Sequence, residues 1–189
     1  ISSAASDVYK RQDVIVINKV DTASLDDVNF VRQNVTAMNP EATIIEAASP
    51  IQVDDPSIIR DKRVLVIEDG PTLTHGGMEY GAGVIAANRF GAAQLVDPRP
   101  YTVASITETY RKYPKIGKLL PAMGYGEKQI RDLQETIDRV DCDAIVIGTP
   151  IDLTRLIRFK VPATRVRYEL QEIGLPNLKR VIEQRMPSL

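Results

Sequence analysis

Short apolar runs recur along the chain, and most are followed by a turn and a helical pattern. The runs are DVIVI at 13–17, ATIIEA at 42–47, VLVI at 64–67 and AIVI at 144–147. Continuous runs of this length are typical of strands that are buried on both faces. Because they alternate with helical segments, they predict an α/β fold with a parallel, doubly wound sheet in a Rossmann-like three-layer arrangement.

Helix signals and weaker strand patterns fill the intervals between these runs. Ser24 is a predicted N-cap, with two aspartates in the following turn and a helix that continues to about Met38. Apolar residues at 130, 133, 137 and 140 have helical spacing and predict a helix over 127–140. Further helices are expected at 78–90, 103–112, 152–158 and 175–185, and further strands at 93–96, 116–120 and 163–169. Residues 51–62 are interpreted as a linker.

Composition excludes several classes of protein. The 189 residues carry 24 Lys and Arg against 25 Asp and Glu, whereas a general nucleic-acid binder usually has a basic excess. The single cysteine, Cys142, excludes a disulfide framework, and the single histidine, His75, excludes a site with two histidine ligands. No apolar run reaches the roughly 18–20 residues of a membrane-spanning helix. We therefore expect no nucleic-acid or membrane partner and a cytoplasmic location, and homo-oligomer formation stays open.

The sequence Asn18-Lys19-Val20-Asp21 directly follows the first apolar run. This pattern is typical of the guanine-specificity loop of P-loop GTPases. The Asp21 carboxylate can accept both N1–H and the N2 amine of guanine, while the Lys19 stem can lie over the base. Ala48 and Ser49 follow one helix and one strand later, where backbone N–H groups can meet the guanine O6. The alternative is an Asn-initiated turn with solvated charges.

The sequence does not contain the rest of a nucleotide-hydrolysing apparatus. No G-x-x-x-x-G-K-[ST] phosphate loop occurs, and no D-x-x-G follows an early strand. We therefore expect GTP, with ATP as the alternative, and Mg²⁺ to bind through a missing N-terminal half, and this chain alone to be inactive. The predicted organisation is a non-native leader at 1–12, the last strand–helix–strand unit of a P-loop nucleotide-binding domain at 13–55, and an α/β domain at 56–189.

A second candidate site follows the VLVI run. Glycines permit close backbone approach, and threonine, histidine and N–H groups at a helix start can donate to an anion. The loop after the AIVI run is expected to lie beside it, because the carboxyl ends of parallel strands meet at one edge. The candidate substrate, phosphate or catalytic residues are Asp69, Thr72, Thr74, His75, Gly76, Gly77, Thr149, Asp152 and Arg155. The alternative is ordinary turn chemistry, with Asp152 as a helix cap.

Five segments together resemble the carboxyl half of the cyclic 2,3-diphosphoglycerate synthetase family. They are DVIVINKVDTAS, NPEATIIEAASPIQVDDP, VLVIEDGPTLTHGGMEYGAG, LLPAMGYGEKQIRDLQETI and AIVIGTPIDLTRLI. The resemblance runs from Asp13 to the C-terminus and implies a P-loop upstream. It also implies an ATP-dependent closure of a phosphoanhydride in a phosphorylated small molecule, bound near residues 68–77, whereas the Asn18–Asp21 pattern favours GTP.

Three functions are therefore expected from the sequence. The first is the C-terminal part of a GTP-binding P-loop enzyme that acts on a phosphorylated small molecule, as in the cyclic 2,3-diphosphoglycerate synthetases. The second is a regulatory or metallochaperone-type GTPase that switches a partner. The third is a free-standing α/β ligand-binding domain in which Asn18–Asp21 is only a turn.

Overall fold

The computed structural model describes residues 10–186 and divides them into two compact units. The first unit combines the chain up to Pro50 with the segment from Tyr168 onward, and the second spans Ile51–Arg167. Residues 1–9 of the predicted leader lie outside the described residues. Within the rest of that leader, the Gln12 carbonyl accepts a hydrogen bond from the Asn39 side chain at 2.8 Å.

The first unit is built on a three-stranded mixed sheet. Its elements are β1 (Val14–Asn18), α1 (Leu25–Met38), β2 (Thr43–Ala48), β9 (Gln171–Ile173) and α6 (Leu178–Arg185). Strand β2 lies in the centre, parallel to β1 and antiparallel to β9. The α1 helix begins as expected, because the Ser24 hydroxyl accepts the Asp27 N–H at 3.1 Å. The predicted division assigned 168–189 to the second domain, whereas β9 hydrogen-bonds to β2 of the first unit.

The second unit contains a six-stranded sheet. Its elements are β3 (Ile51–Val53), β4 (Arg63–Asp69), α2 (Gly70–Gly76), α3 (Ala82–Arg89), β5 (Gln94–Leu95), α4 (Ala104–Lys112), β6 (Leu120–Ala122), α5 (Glu127–Arg139), β7 (Ala144–Gly148) and β8 (Ala163–Tyr168). The order is β3-β8-β7-β4-β5, and β6 also pairs with β4. Strand β4 runs parallel to β5, β6 and β7, and β7 runs parallel to β8. After β4, the chain therefore adds β5 and β6 on one side of β4. It then crosses to the other side of β4, where it forms β7.

Two hydrophobic cores cover the central strands of this sheet. Leu65 and Ile67 of β4 belong to one core, which includes residues of α4 and α5. Val64 and Val66 belong to the other, which includes residues of α2 and α3. Side chains alternate along a strand, so a run that is apolar at every position is buried on both faces. The predicted α/β class is confirmed.

Several element boundaries differ from the sequence-based expectation. Residues 70–76, expected as a loop, form α2, because Asp69 caps the helix, Pro71 occupies its first turn and Gly77 ends it at φ 60°. The helix expected at 152–158 is a 3-10 turn, Leu153–Arg155. The strand expected at 116–120 is shifted to β6. Strands β3 and β9 were not expected.

No helix among residues 10–186 is long and apolar enough to cross a bilayer.

Candidate functional site

The structure brings together the two halves of the predicted base-binding site in the first unit. The Ser49 N–H donates to Asp21 Oδ1 at 3.0 Å, and the Ser49 hydroxyl donates to Asn18 Oδ1 at 2.9 Å. The Val20 N–H donates to the Ala47 carbonyl at 3.2 Å. The loop after β1 and the end of β2 are therefore tied together by three hydrogen bonds, with Ala48 and Ser49 beside the Asp21 carboxylate.

Backbone geometry in this loop leaves polar groups for a ligand. Lys19 adopts the left-handed conformation at φ 63°, and its N–H donates to Asn18 Oδ1 at 2.7 Å. Asn18 Oδ1 therefore accepts two hydrogen bonds within the protein. Asp21 Oδ2 forms no hydrogen bond within residues 10–186, so it is available to a donor such as a base N–H.

In the second unit, the ends of β4 and β7 lie side by side. Glu68 is paired in register with Gly148, which places Asp69 next to Thr149 at the carboxyl edge of the sheet. The chain reaches β5 and β6 on one side of β4 and β7 on the other. A crevice at such a reversal of strand order is the usual ligand position in open α/β sheets.

The predicted residues of α2 mostly contact their own helix. Asp69 Oδ2 accepts the Thr72 N–H at 3.1 Å and the Thr72 hydroxyl at 2.5 Å, so Asp69 acts as the helix cap. The Thr74 hydroxyl donates to the Pro71 carbonyl at 3.3 Å, and His75 Nδ1 lies 2.8 Å from the same oxygen. Gly76 is the last residue of α2, and Gly77 follows it.

Asp69 also has a contact outside its helix. The Tyr125 hydroxyl donates to Asp69 Oδ1 at 3.5 Å, and burial, reinforced by the Asp69 charge, raises the pKa of Tyr125. The Asp69 carboxylate thus links α2 to the segment between β6 and α5, and it stays at the carboxyl edge of the sheet.

A cavity of about 220 Å³ lies at the other end of α2. Thr74 and Gly77 line it, with Lys112 and Lys115 on the facing segment. The Lys112 ammonium lies 5.3 Å from the centre of the Tyr113 ring. These two predicted residues are therefore grouped with lysines that the sequence analysis did not select, away from the Asp69 cap.

The residues predicted after β7 form a compact polar cluster. The Thr149 hydroxyl donates to the Ile151 carbonyl at 2.7 Å. Asp152 accepts the Thr154 hydroxyl at 2.6 Å and the Thr154 N–H at 3.1 Å, and it lies 3.3 Å from Arg165 Nη1 and 3.8 Å from Arg155 Nε. The Thr154 hydroxyl, and then the two arginines, lower the pKa of Asp152. Asp152 is therefore a charged turn cap.

Sequence reasoning missed Glu68, the buried carboxylate near the carboxyl end of β4. Only 3% of the residue is exposed, and Oε1 accepts the Val84 N–H at 3.0 Å. Burial raises the pKa of Glu68 to about 7, although backbone N–H groups at Val84, Gly83 and Gly81 act in the opposite direction. The available signal was a glutamate that directly continues an apolar strand, together with the glycines at the start of α3.

No group of three or more His, Cys, Asp or Glu side chains suited to a metal ion occurs within residues 10–186.

Comparison with known proteins identifies a named relative but does not assign the chain to a family. No family model matches the chain. The chain is 60% identical over 176 residues to a curated protein of Thermococcus kodakarensis named "Arginine synthetase ArcE". The match covers 93% of this chain and 39% of the relative, so the chain spans about two fifths of the length of that protein. This likeness supports a synthetase-like family.

The likeness also corrects the predicted function. A relative with 60% identity is named for arginine synthesis. The predictions of a cyclic 2,3-diphosphoglycerate synthetase-like activity on a phosphorylated small molecule and of a GTPase switch are therefore wrong. The five resembling segments indicated a synthetase-like family, which the name of this relative supports, but not the reaction that the relative is named for.

Proposed function

We propose that this chain is part of a synthetase that forms arginine. The observation that carries the proposal is the 60% identity over 93% of the chain to the arginine synthetase of Thermococcus kodakarensis. At this identity most side chains that contact a substrate are expected to be shared. Because the chain spans 39% of the relative, the activity belongs to a longer polypeptide in which this chain is one portion.

Within that polypeptide, we assign nucleotide binding to the loop after β1. The Asn18 amide, the Asp21 carboxylate and the Ser49 backbone form one rigid hydrogen-bonded arrangement, and Asp21 Oδ2 is left for a base donor. Ala48 and the Lys19 stem complete the proposed base contacts. GTP is the nucleotide that this donor pattern favours, with ATP as the alternative. A bound nucleoside triphosphate with Mg²⁺ would supply the free energy of bond formation.

We assign the arginine end of the reaction to the crevice beside β4 and β7. Carboxylates pair with a guanidinium through charge-assisted hydrogen bonds, which are roughly twice as strong as those between neutral groups. Asp69 lies at this edge, and Asp152 lies in the turn after β7. The strand order supports a doubly wound, Rossmann-like arrangement for this unit, in which such a crevice is the ligand site. The other selected residues of both loops remain candidates for contact with the substrate.

A chimera tests the proposed function. The 176 matched residues of the Thermococcus kodakarensis enzyme are replaced by the corresponding residues of this chain. We expect the chimera to form arginine under the conditions in which the parent enzyme does. A chimera that unfolds at a temperature close to that of the parent and yet forms no arginine would refute the proposal.

A further inference from the structure

Glu68 provides the helix cap that α3 lacks. The N-cap residue of α3 is Gly81, which has no side chain to accept an N–H of the first turn. From the end of β4, Glu68 Oε1 accepts the Val84 N–H at 3.0 Å, and the N–H groups of Gly83 and Gly81 also favour the charged form of this carboxyl group. The positive end of the helix dipole reinforces these hydrogen bonds. The end of β4 and the start of α3 are therefore joined by one buried carboxylate.

Three glycines make room for that carboxylate. A Cβ atom on Gly81 would lie 2.6 Å from Glu68 Oε2, and one on Gly83 would lie 3.0 Å from Oε1. A Cβ atom on Gly148 would lie 2.5 Å from Oε2 and 3.0 Å from the Gly83 nitrogen. Real Cβ atoms do not approach other atoms so closely. The glycines at the end of β7, at the N-cap of α3 and in its first turn therefore leave the space that the Glu68 side chain occupies.

The charge of Glu68 is balanced by backbone groups alone. On its own strand the charged neighbour is Asp69, which opposes ionisation, and α3 and β7 present the glycine backbones and the Val84 N–H. Glu68 forms no ion pair with a lysine or arginine in the described part of the chain. Hydrogen bonds to a carboxylate are roughly twice as strong as those to a neutral carboxyl group. The desolvation of the charge outweighs these hydrogen bonds, so burial favours the protonated group and ionisation weakens the hold on α3.

We propose that Glu68 is a positioning residue for the crevice beside β4 and β7. Its carboxyl group holds the first turn of α3 against the ends of both strands, and loss of its proton loosens that hold. The proposal rests on the proposed arginine synthetase function in one respect, which is the identity of the reaction that takes place at this crevice. The positioning itself is a property of this chain and is measured separately.

The first measurement is an NMR titration of the 189-residue chain. We expect the amide signals of Gly81, Gly83 and Val84 to shift together between pH 5 and 9 with one midpoint. The shift should vanish in Glu68→Gln and persist in Glu108→Gln, a matched change of an exposed glutamate on α4. Amides that do not shift in a folded chain, or that still shift in Glu68→Gln, overturn the proposal.

The second measurement is the pH profile of arginine formation by the chimera. The wild-type chimera should lose kcat about tenfold between pH 6 and 8, and Glu68→Gln should remove that loss, because the neutral side chain mimics the protonated state at every pH. An unchanged profile in Glu68→Gln overturns the positioning role. A wild-type chimera that forms no arginine refutes the proposed function instead, and the amide titration then decides on Glu68 alone.

Discussion

Burial of Glu68 predicts that the stability of this chain depends on pH in an unusual direction. Carboxylates that are paired in the folded state usually make proteins less stable in acid. Glu68 is the opposite case, because its pKa rises from 4.5 to about 7 on folding. The folded chain therefore retains a proton that the unfolded chain releases. This contribution to stability is complete below pH 4.5 and is lost as the pH rises through 7.

The magnitude follows from the two pKa values. A pKa difference from 4.5 to about 7 corresponds to about 3 kcal/mol over the full range. Most of that change, about 2 to 3 kcal/mol, falls between pH 5 and 8. Glu68→Gln removes the ionisation while keeping an oxygen that can accept the Val84 N–H. Relative to the wild type, the substitution should therefore give a more favourable change in unfolding free energy at pH 8 than at pH 5.

Denaturant unfolding at pH 5, 6, 7 and 8 measures this effect. The quantity of interest is the unfolding free energy of Glu68→Gln minus that of the wild type, since groups common to both proteins cancel. We expect this difference to rise by about 2 to 3 kcal/mol from pH 5 to pH 8. Glu108→Gln, which changes an exposed glutamate, should stay within about 0.5 kcal/mol of the wild type throughout. A flat difference for Glu68→Gln would refute the reasoning.

Three further substitutions test other parts of the structure. Gly148→Ala should lower the unfolding free energy by about 1–3 kcal/mol in denaturant unfolding, because its Cβ would lie 2.5 Å from Glu68 Oε2; an unchanged stability would contradict the tight enclosure. Ser24→Ala should cost about 1 kcal/mol by the same assay through loss of the α1 cap, and a neutral result would argue against that cap. Asp21→Ala in the chimera should raise KM for the nucleotide at least tenfold, whereas Asp26→Ala, an exposed first-turn change on α1, should not; equal effects would refute the base-binding assignment.

The parts of the fold that were predictable carry their signals locally. Strands β1, β2, β4 and β7 are continuous apolar runs, and burial on both faces of a sheet requires that pattern. Helices α1 and α5 follow from the Ser24 cap and from apolar spacing. Helix α2 has equally local signals in Asp69, Pro71 and Gly77, but its threonines, histidine and glycines favoured a binding loop.

Other features depend on contacts between distant residues. Strand β9 has the polar sequence Gln-Glu-Ile and exists because it pairs with β2, more than 120 positions earlier in the chain. The role of Glu68 depends on glycines at 81, 83 and 148, which the fold brings around one carboxylate. A sequence pattern alone does not show that a glutamate at the end of β4 faces the start of α3, with α2 between them in the chain.

The loop after β1, for which we propose base binding, illustrates why local geometry and overall function must be argued separately. The hydrogen bonds from Ser49 to Asn18 and Asp21 join the two segments that the sequence analysis selected. Yet the inference from that loop to a GTPase is wrong, because a relative with 60% identity is named as an arginine synthetase. A loop that suits a purine specifies at most which nucleotide binds. The reaction that the nucleotide drives depends on the groups that contact the other substrate. The fold and the geometry of this loop do not specify those groups. For this chain those groups are sought at the ends of β4 and β7, where Asp69 lies at the edge and Glu68 lies buried beneath it.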